Sequence, residues 1–247
     1  MRGPRAPTAP ATPAPASAPQ LKLRHATVDA EQAERSAALL HPTDHAAERA
    51  YKILRTQLLR KLGDAGSGVI AVTAVNIGDG KTITSLNLAL SLARDVTTRV
   101  TLVDLDLQRP SIARYIGMRA DAGLDDYLSG RAASTDVYYE IGIERLVVIP
   151  SLNPLMHSSE AIRSPAMKDF LGELRSQRRV VILDLPPLLM GDDVLAIAPQ
   201  TDGVLLVVGE GNTPRAALAG ARTYLSEMNV IGVVLNRSAE NADASYY

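Results

Sequence analysis

Apolar and β-branched residues cluster at residues 69–75, led by Val69, Ile70, Val72 and Thr73, and resume at helical spacing as Leu86, Leu88, Ala89, Leu92 and Ala93. The first pattern predicts a buried strand and the second a helix packed on it. The alternation recurs down the chain. Residues 99–106 (RVTLVDLD), 146–149, 179–184 (RVVILD), 203–208 and 231–235 predict further buried strands. Residues 111–116, 123–130, 158–176, 192–198 and 214–227 predict the helices between them. Strands alternating with helices predict an α/β fold with a doubly wound, mostly parallel sheet. Ahead of the first strand, residues 46–62 carry Ala50, Leu54, Leu58 and Leu62 at i+4 steps, while Arg49, Lys52, Arg55 and Lys61 face elsewhere. This amphipathic helix has a basic side, suited either to a covering helix or to a subunit contact.

The two ends lack such a pattern. Residues 1–20 (MRGPRAPTAPATPAPASAPQ) alternate Pro and Ala with small polar residues and offer no apolar face. Residues 1–44 are therefore expected to be a disordered Pro/Ala-rich leader, with a loose helix within residues 27–40. Residues 45–237 form the expected domain, and residues 238–247 a flexible tail ending in Tyr246 and Tyr247. The 247 residues, 46% hydrophobic, suffice for one large core. A net charge of −1 gives no global field toward nucleic acid or an acidic membrane. No cysteine is present, and His25, His41, His45 and His157 show no ligand spacing. No apolar stretch is long enough to span a bilayer and no secretory signal stands at the start, so a soluble, intracellular protein is expected.

The candidate chemistry lies between the first strand and its helix, at Gly78-Asp79-Gly80-Lys81-Thr82. Two glycines let backbone N–H groups turn inward toward an anion, and the helix adds its positive end. Lys81 supplies a mobile cation and Thr82 a hydroxyl for Mg²⁺. The pattern G-x-x-x-x-G-K-[ST] would place glycine where Val75 stands, so the order of strand, turn and helix carries the assignment. Two later strands end in acids: Asp104 and Asp106 close one, Asp184 the other. Ligands of open parallel sheets lie beyond the carboxyl ends of the strands, which brings these acids to the cradle. An i, i+2 spacing on an extended chain puts Asp104 and Asp106 on one side. Carboxylates beside phosphates imply an intervening cation or proton abstraction. Asn236, ending the last strand, offers a donor and an acceptor to an adenine edge, or a turn-forming amide.

Together these motifs resemble the bacterial tyrosine kinases of capsule and exopolysaccharide synthesis, the BY-kinases of the CpsD/CapB type, within the wider MinD/ParA-like P-loop ATPases. The likeness spans residues 48–237 and rests on AYKILRTQL, IGDGKT, LVDLDLQRP, SSEAIRSPAM before LDLPP, DGVLLVV and GVVLN. The resemblance implies an ATP-dependent protein tyrosine autokinase that uses Mg²⁺ and regulates polysaccharide synthesis and export. Gly78, Asp79, Gly80, Lys81, Thr82, Ile83 and Asn236 would contact the nucleotide, and Thr82, Asp104 and Asp184 the metal. Lys81, Asp104 and Asp106 would act in catalysis, with Tyr246 and Tyr247 as acceptors. The implied partners are a membrane-bound polysaccharide co-polymerase acting as activator and further copies of the chain, with no nucleic acid. The protein would then be cytoplasmic and recruited to the inner face of the membrane. Departures are visible: the family's E-x-x-R-x-x-R pattern falls on Arg49, Lys52 and Arg55, the proline before the glycine of the cradle is Ile77, and the terminal tyrosine cluster is short. The alternatives are a MinD/ParA-like switch ATPase, which would carry lysine where Asn76 stands, and a nucleotide-binding scaffold of the polysaccharide complex.

Overall fold

The computed structural model describes residues 22–35 and 45–238. Its strands are β1 (Arg24–His25), β2 (Gly68–Ala74), β3 (Val100–Asp104), β4 (Tyr139–Glu140), β5 (Leu146–Ile149), β6 (Val180–Asp184), β7 (Gly203–Gly209) and β8 (Val230–Asn236). They form one sheet in the order β1-β4-β5-β3-β6-β2-β7-β8. From β5 to β8 every pairing is parallel, and β4 runs antiparallel to β5.

The helices are α1 (Ala30–Arg35), α2 (His45–Leu62), α3 (Lys81–Ala93), α4 (Ile112–Tyr115), α5 (Leu124–Leu128), α6 (Ser158–Ile162), α7 (Pro165–Ser176), α8 (Asp193–Ile197) and α9 (Arg215–Leu225). They cover both faces of the sheet because the strands are apolar on both. Ile70, Val72, Leu102 and Ile182 face one way and pack with Leu58 of α2 and Leu88 and Leu92 of α3. Val69, Val103, Val181 and Leu183 face the other and pack with Phe170 and Leu174 of α7 and Ile197 of α8. That two-sided burial is the doubly wound arrangement expected from the uninterrupted apolar runs. Among the described residues no helix is long and apolar enough to cross a membrane.

Register sets up the site. Asp104, the last residue of β3, lies directly opposite Asp184, the last residue of β6, and Asp184 in turn pairs with Val72 of β2. Two acids from neighbouring strands thus end at one level, next to the strand that leads into the glycine turn.

Three elements differ from the sequence expectation. The stretch at 158–176 is two helices, because Ser164 takes an extended backbone at φ −68° and ψ 155° and Pro165 begins α7. A residue before proline is driven out of the helical region, and here its hydroxyl accepts from the N–H of Met167, capping the new helix. The expected leader is not wholly outside the fold: Arg24 and His25 pair with Tyr139 and Glu140, and Ala33 of α1 is fully buried. Two-residue strands carry no periodicity to read, so β1 and β4 escape the pattern. Along α2, Leu58 is buried while Ala50 is exposed, and Glu48 pairs with Lys52 at 3.0 Å and Arg94 at 3.2 Å. Residues 1–21, 36–44 and 239–247, including Tyr246 and Tyr247, lie outside the described residues.

Candidate active site

The turn between β2 and α3 is built by left-handed glycines. Gly78 has φ +84° and Gly80 φ +92°, values that L side chains rarely adopt. At Gly80 a Cβ would collide with Asn236 Nδ2, so this position also has no room for one. Helix α3 then starts at Lys81, aiming its first N–H groups toward the same turn.

Six side chains lie behind that turn. Lys81 Nζ lies 2.9 Å from Asp106 Oδ2 and 3.5 Å from Asp184 Oδ2. Thr82 Oγ1 donates to Asp184 Oδ2 at 2.7 Å, and Ser85 Oγ donates to Asp184 Oδ1 at 2.9 Å. Asp104 Oδ2 accepts the backbone N–H groups of Ser111 and Ile112, each at 2.8 Å, while Asp104 Oδ1 is buried without a hydrogen-bond partner. Asp104 and Asp184 are both fully buried.

Such burial decides the electrostatics. Desolvation first, and then the Asp184 charge, push Asp104 up to about 7, against the backbone donors and Lys81. Asp184 is likewise raised by burial, with Lys81 and the hydroxyls of Thr82 and Ser85 opposing. Burial acts to lower the Lys81 ammonium, but the carboxylates of Asp184 and Asp106 outweigh it and hold it above its ordinary value. One cation therefore serves a group of acids that it does not fully neutralise.

A cleft of about 230 Å³ opens over this cluster, lined by the glycine turn, Lys81, Thr82 and Asp106. Arg109, Arg114 and Arg237 stand around it, and Pro187 and Met190 close its other wall. The chemistry is that of a polyanion site with a hydroxyl, a lysine and carboxylates at its floor. Among the described residues no three His, Cys, Asp or Glu side chains converge to hold a metal unaided. Mg²⁺ takes one or two carboxylates and completes its shell with water and phosphate oxygens, and the Thr82 hydroxyl beside Asp184 offers oxygen ligands of that kind. The orphaned Asp104 Oδ1 is the matching observation on the protein side.

Residues 67–240 match the AAA domain family. The tyrosine-protein kinase CpsD of Streptococcus pneumoniae serotype 4 (strain ATCC BAA-334 / TIGR4) is 30% identical over 194 residues, 77% of this chain and 84% of that protein. The chain belongs to the bacterial tyrosine kinases of the CpsD type. The kinase domain of VpsO superposes on this kinase with a TM-score of 0.69 at 28% identity, covering 78% of this chain and 96% of that one. The succinoglycan biosynthesis transport protein ExoP of Rhizobium meliloti (strain 1021) is 30% identical over 195 residues, 75% of this kinase but only 24% of ExoP. The fold is also that of the MinD-like ATPases.

Of the residues singled out from sequence, Gly78, Gly80, Lys81, Thr82, Ile83 and Asp106 line the cleft of this kinase. Asp104 and Asp184 lie buried beneath it. Asp104 and Asp106 do not act as one pair on an extended strand, because β3 ends at Asp104. The chain then turns, sending Asp106 to Lys81 and Asp104 to the start of α4. The Asp79 side chain is fully buried and braces the turn. Its Oδ2 accepts the Asn76 N–H at 2.9 Å, and its Oδ1 accepts from Asn212 Nδ2 and Thr213 Oγ1, each at 2.7 Å. Asn236 Nδ2 donates to the Asp79 carbonyl at 2.8 Å, which commits one of its two N–H donors to the turn. Sequence reasoning misses Ser85, Ser111, Arg114 and Arg237. Only Ser85 has a readable signal: one turn after Lys81 and three residues after Thr82, it shares their helix face.

Proposed function

We propose that this kinase transfers the γ-phosphoryl group of ATP to tyrosine, with Tyr246 and Tyr247 of its own tail as acceptors. What supports the reading is one arrangement: Lys81 between Asp106 and Asp184, with Thr82 donating to Asp184, under a glycine turn, in a chain of the CpsD-type family.

The residues divide the work. The N–H groups of residues 78–82 hold the β- and γ-phosphates, and Lys81 leaves Asp106 and Asp184 to neutralise them. Thr82 Oγ1, Asp184 and Asp104 would hold Mg²⁺, which when bound screens phosphate charge from these acids. Asp106, released by Lys81, faces the cleft and accepts the hydrogen bond of the incoming tyrosine hydroxyl. A phenol has a pKa of about 10, so the carboxylate acts mainly by orienting it. Phosphoryl transfer rests chiefly on positioning and charge neutralisation, and the buried floor provides both.

At the level of the cell, the reading is a cytoplasmic regulator of capsular or exopolysaccharide synthesis and export, working as a homo-oligomer. A membrane-bound polysaccharide co-polymerase would recruit and activate it. The support is ExoP, in which the matching region is a quarter of a protein named for transport. Incubation with labelled ATP and Mg²⁺, with and without such an activator, tests the reading through phosphotyrosine on the tail. Transfer that survives Lys81→Met would overturn it.

A further inference from the structure

The segment SSEAIRSPAM is one of the family motifs, yet phosphate chemistry gives it no task. Its first two residues sit in α6, and both serines are hydrogen-bonded. Ser158 Oγ accepts from Gln108 Nε2 at 3.0 Å. Ser159 Oγ donates to Asp193 Oδ1 at 2.7 Å, and also to Asp192. Asp193, at the start of α8, is fully buried, and its Oδ2 accepts from the same Gln108 Nε2 at 3.4 Å. Gln108 thus joins α6 and α8 through one amide.

Gln108 also lies two residues beyond Asp106 and lines the cleft. The loop it belongs to is tied at three successive points to residues 151–158. Ser151 Oγ donates to the Asp104 carbonyl at 2.8 Å, the Leu155 N–H donates to the Leu107 carbonyl at 2.8 Å, and Gln108 closes the series at Ser158. Inside the loop the Arg109 N–H donates to Asp106 Oδ1 at 3.2 Å. Whatever fixes Gln108 therefore fixes the neighbour that holds Asp106.

We infer that Gln108 is a positioning residue of the transfer reaction, anchored by Ser158 and Asp193 so that Asp106 and Arg109 meet the acceptor in a fixed pose. Asp193 can only accept while ionised, so position 108 must present a donor. Gln108→Glu alone would set two carboxylates against each other in a buried place. Adding Asp193→Asn would reverse the polarity of the contact. The new amide would still accept from Ser159 through its oxygen and would donate through its nitrogen to the carboxylate introduced at position 108. Ser158 would turn its hydroxyl to donate as well, so donors and acceptors balance again in the double variant.

This inference rests on the tyrosine transfer proposed above, and its test reads three quantities. Gln108→Glu, Asp193→Asn and the double variant are compared for kcat at saturating ATP, for MgATP affinity by calorimetry, and for amide hydrogen exchange over residues 104–112. Gln108→Glu is expected to lose about tenfold or more in kcat, since small misplacements of a catalytic group are that costly. Asp193→Asn is the milder control, because Gln108 can flip its amide and Ser158 turn its hydroxyl to satisfy it. MgATP affinity should stay within about twofold, because Lys81 and Thr82 are untouched, and exchange over the loop should rise. The double variant should recover kcat to within about threefold and restore protection. Wild-type kcat in Gln108→Glu, or a double variant as slow and as loose as that single variant, overturns the inference. A wild-type protein that transfers nothing would defeat the proposed function instead, and the exchange data alone would then decide the role of Gln108: protection lost and regained supports it, and unchanged protection refutes it.

Discussion

Lys81 and Asp106 form an ion pair of 2.9 Å, with side chains only 11% and 7% exposed. A lysine that neutralises acids in one state is available to phosphates only by leaving them, so nucleotide entry and the release of Asp106 are one event. Lys81→Met should therefore lose at least about tenfold in MgATP affinity, the scale of a charge-assisted contact. Asp106→Asn should bind MgATP nearly as well as the wild type and fail in transfer. Calorimetry and a transfer assay on the two variants separate these effects.

The raised acids make the nucleotide-free protein sensitive to pH. Asp104 is pushed up to about 7 in the folded state, whereas an unfolded aspartate titrates near 3.8. Between those values the folded protein binds the extra proton, so the stabilisation is fully present below pH 3.8 and is lost as pH rises through about 7. Thermal melts should show Tm dropping across that window, and Asp104→Asn should flatten the drop. Added MgATP should raise Tm more at pH 8 than at pH 6, because it supplies the charge that the floor lacks.

The break between α6 and α7 assigns a cap to Ser164. Its Oγ accepts from the Met167 N–H at 3.2 Å and donates to the Ala161 carbonyl at 2.7 Å. Ser164→Ala should cost about 1 kcal/mol of stability, as lost N-caps do, with MgATP affinity unchanged. Urea unfolding measures the first and calorimetry the second.

The doubly wound sheet and the phosphate turn are legible in the sequence because both depend on strong local signals: continuous apolar runs, and glycines before a lysine and a helix. The acids that end β3 and β6 are legible for the same reason, since a charge after a buried run marks the strand's end. What stays hidden depends on distant partners. Asp79 resembles an exposed turn residue in sequence, and only Asn212 and Thr213, over 130 residues away, reveal it as a buried brace. Pro165 is a readable break, masked by the helical spacing around it. The pairing of Arg24 and His25 with β4 leaves no trace in the pattern, because two residues cannot display a period.

That pairing has a testable consequence at Gly117. Its φ is +61°, and a Cβ there would lie 2.5 Å from the Asp29 Cβ and 3.0 Å from the Gln32 Cβ. Gly117→Ala should push residues 22–35 away from the end of α4, exposing Ala33. Limited proteolysis within that segment should accelerate while the rest of the domain stays resistant. Equal cleavage in both proteins would place the segment's anchorage elsewhere.

Mass spectrometry after incubation with MgATP tests the central claim most directly, comparing the wild-type chain with Asp106→Asn. Phosphate on Tyr246 or Tyr247 in the wild type, and a loss of most of it in the variant, is the expected result. A wild-type tail without phosphotyrosine, or equal phosphorylation in both, would contradict a transfer centre built from Lys81 and Asp106.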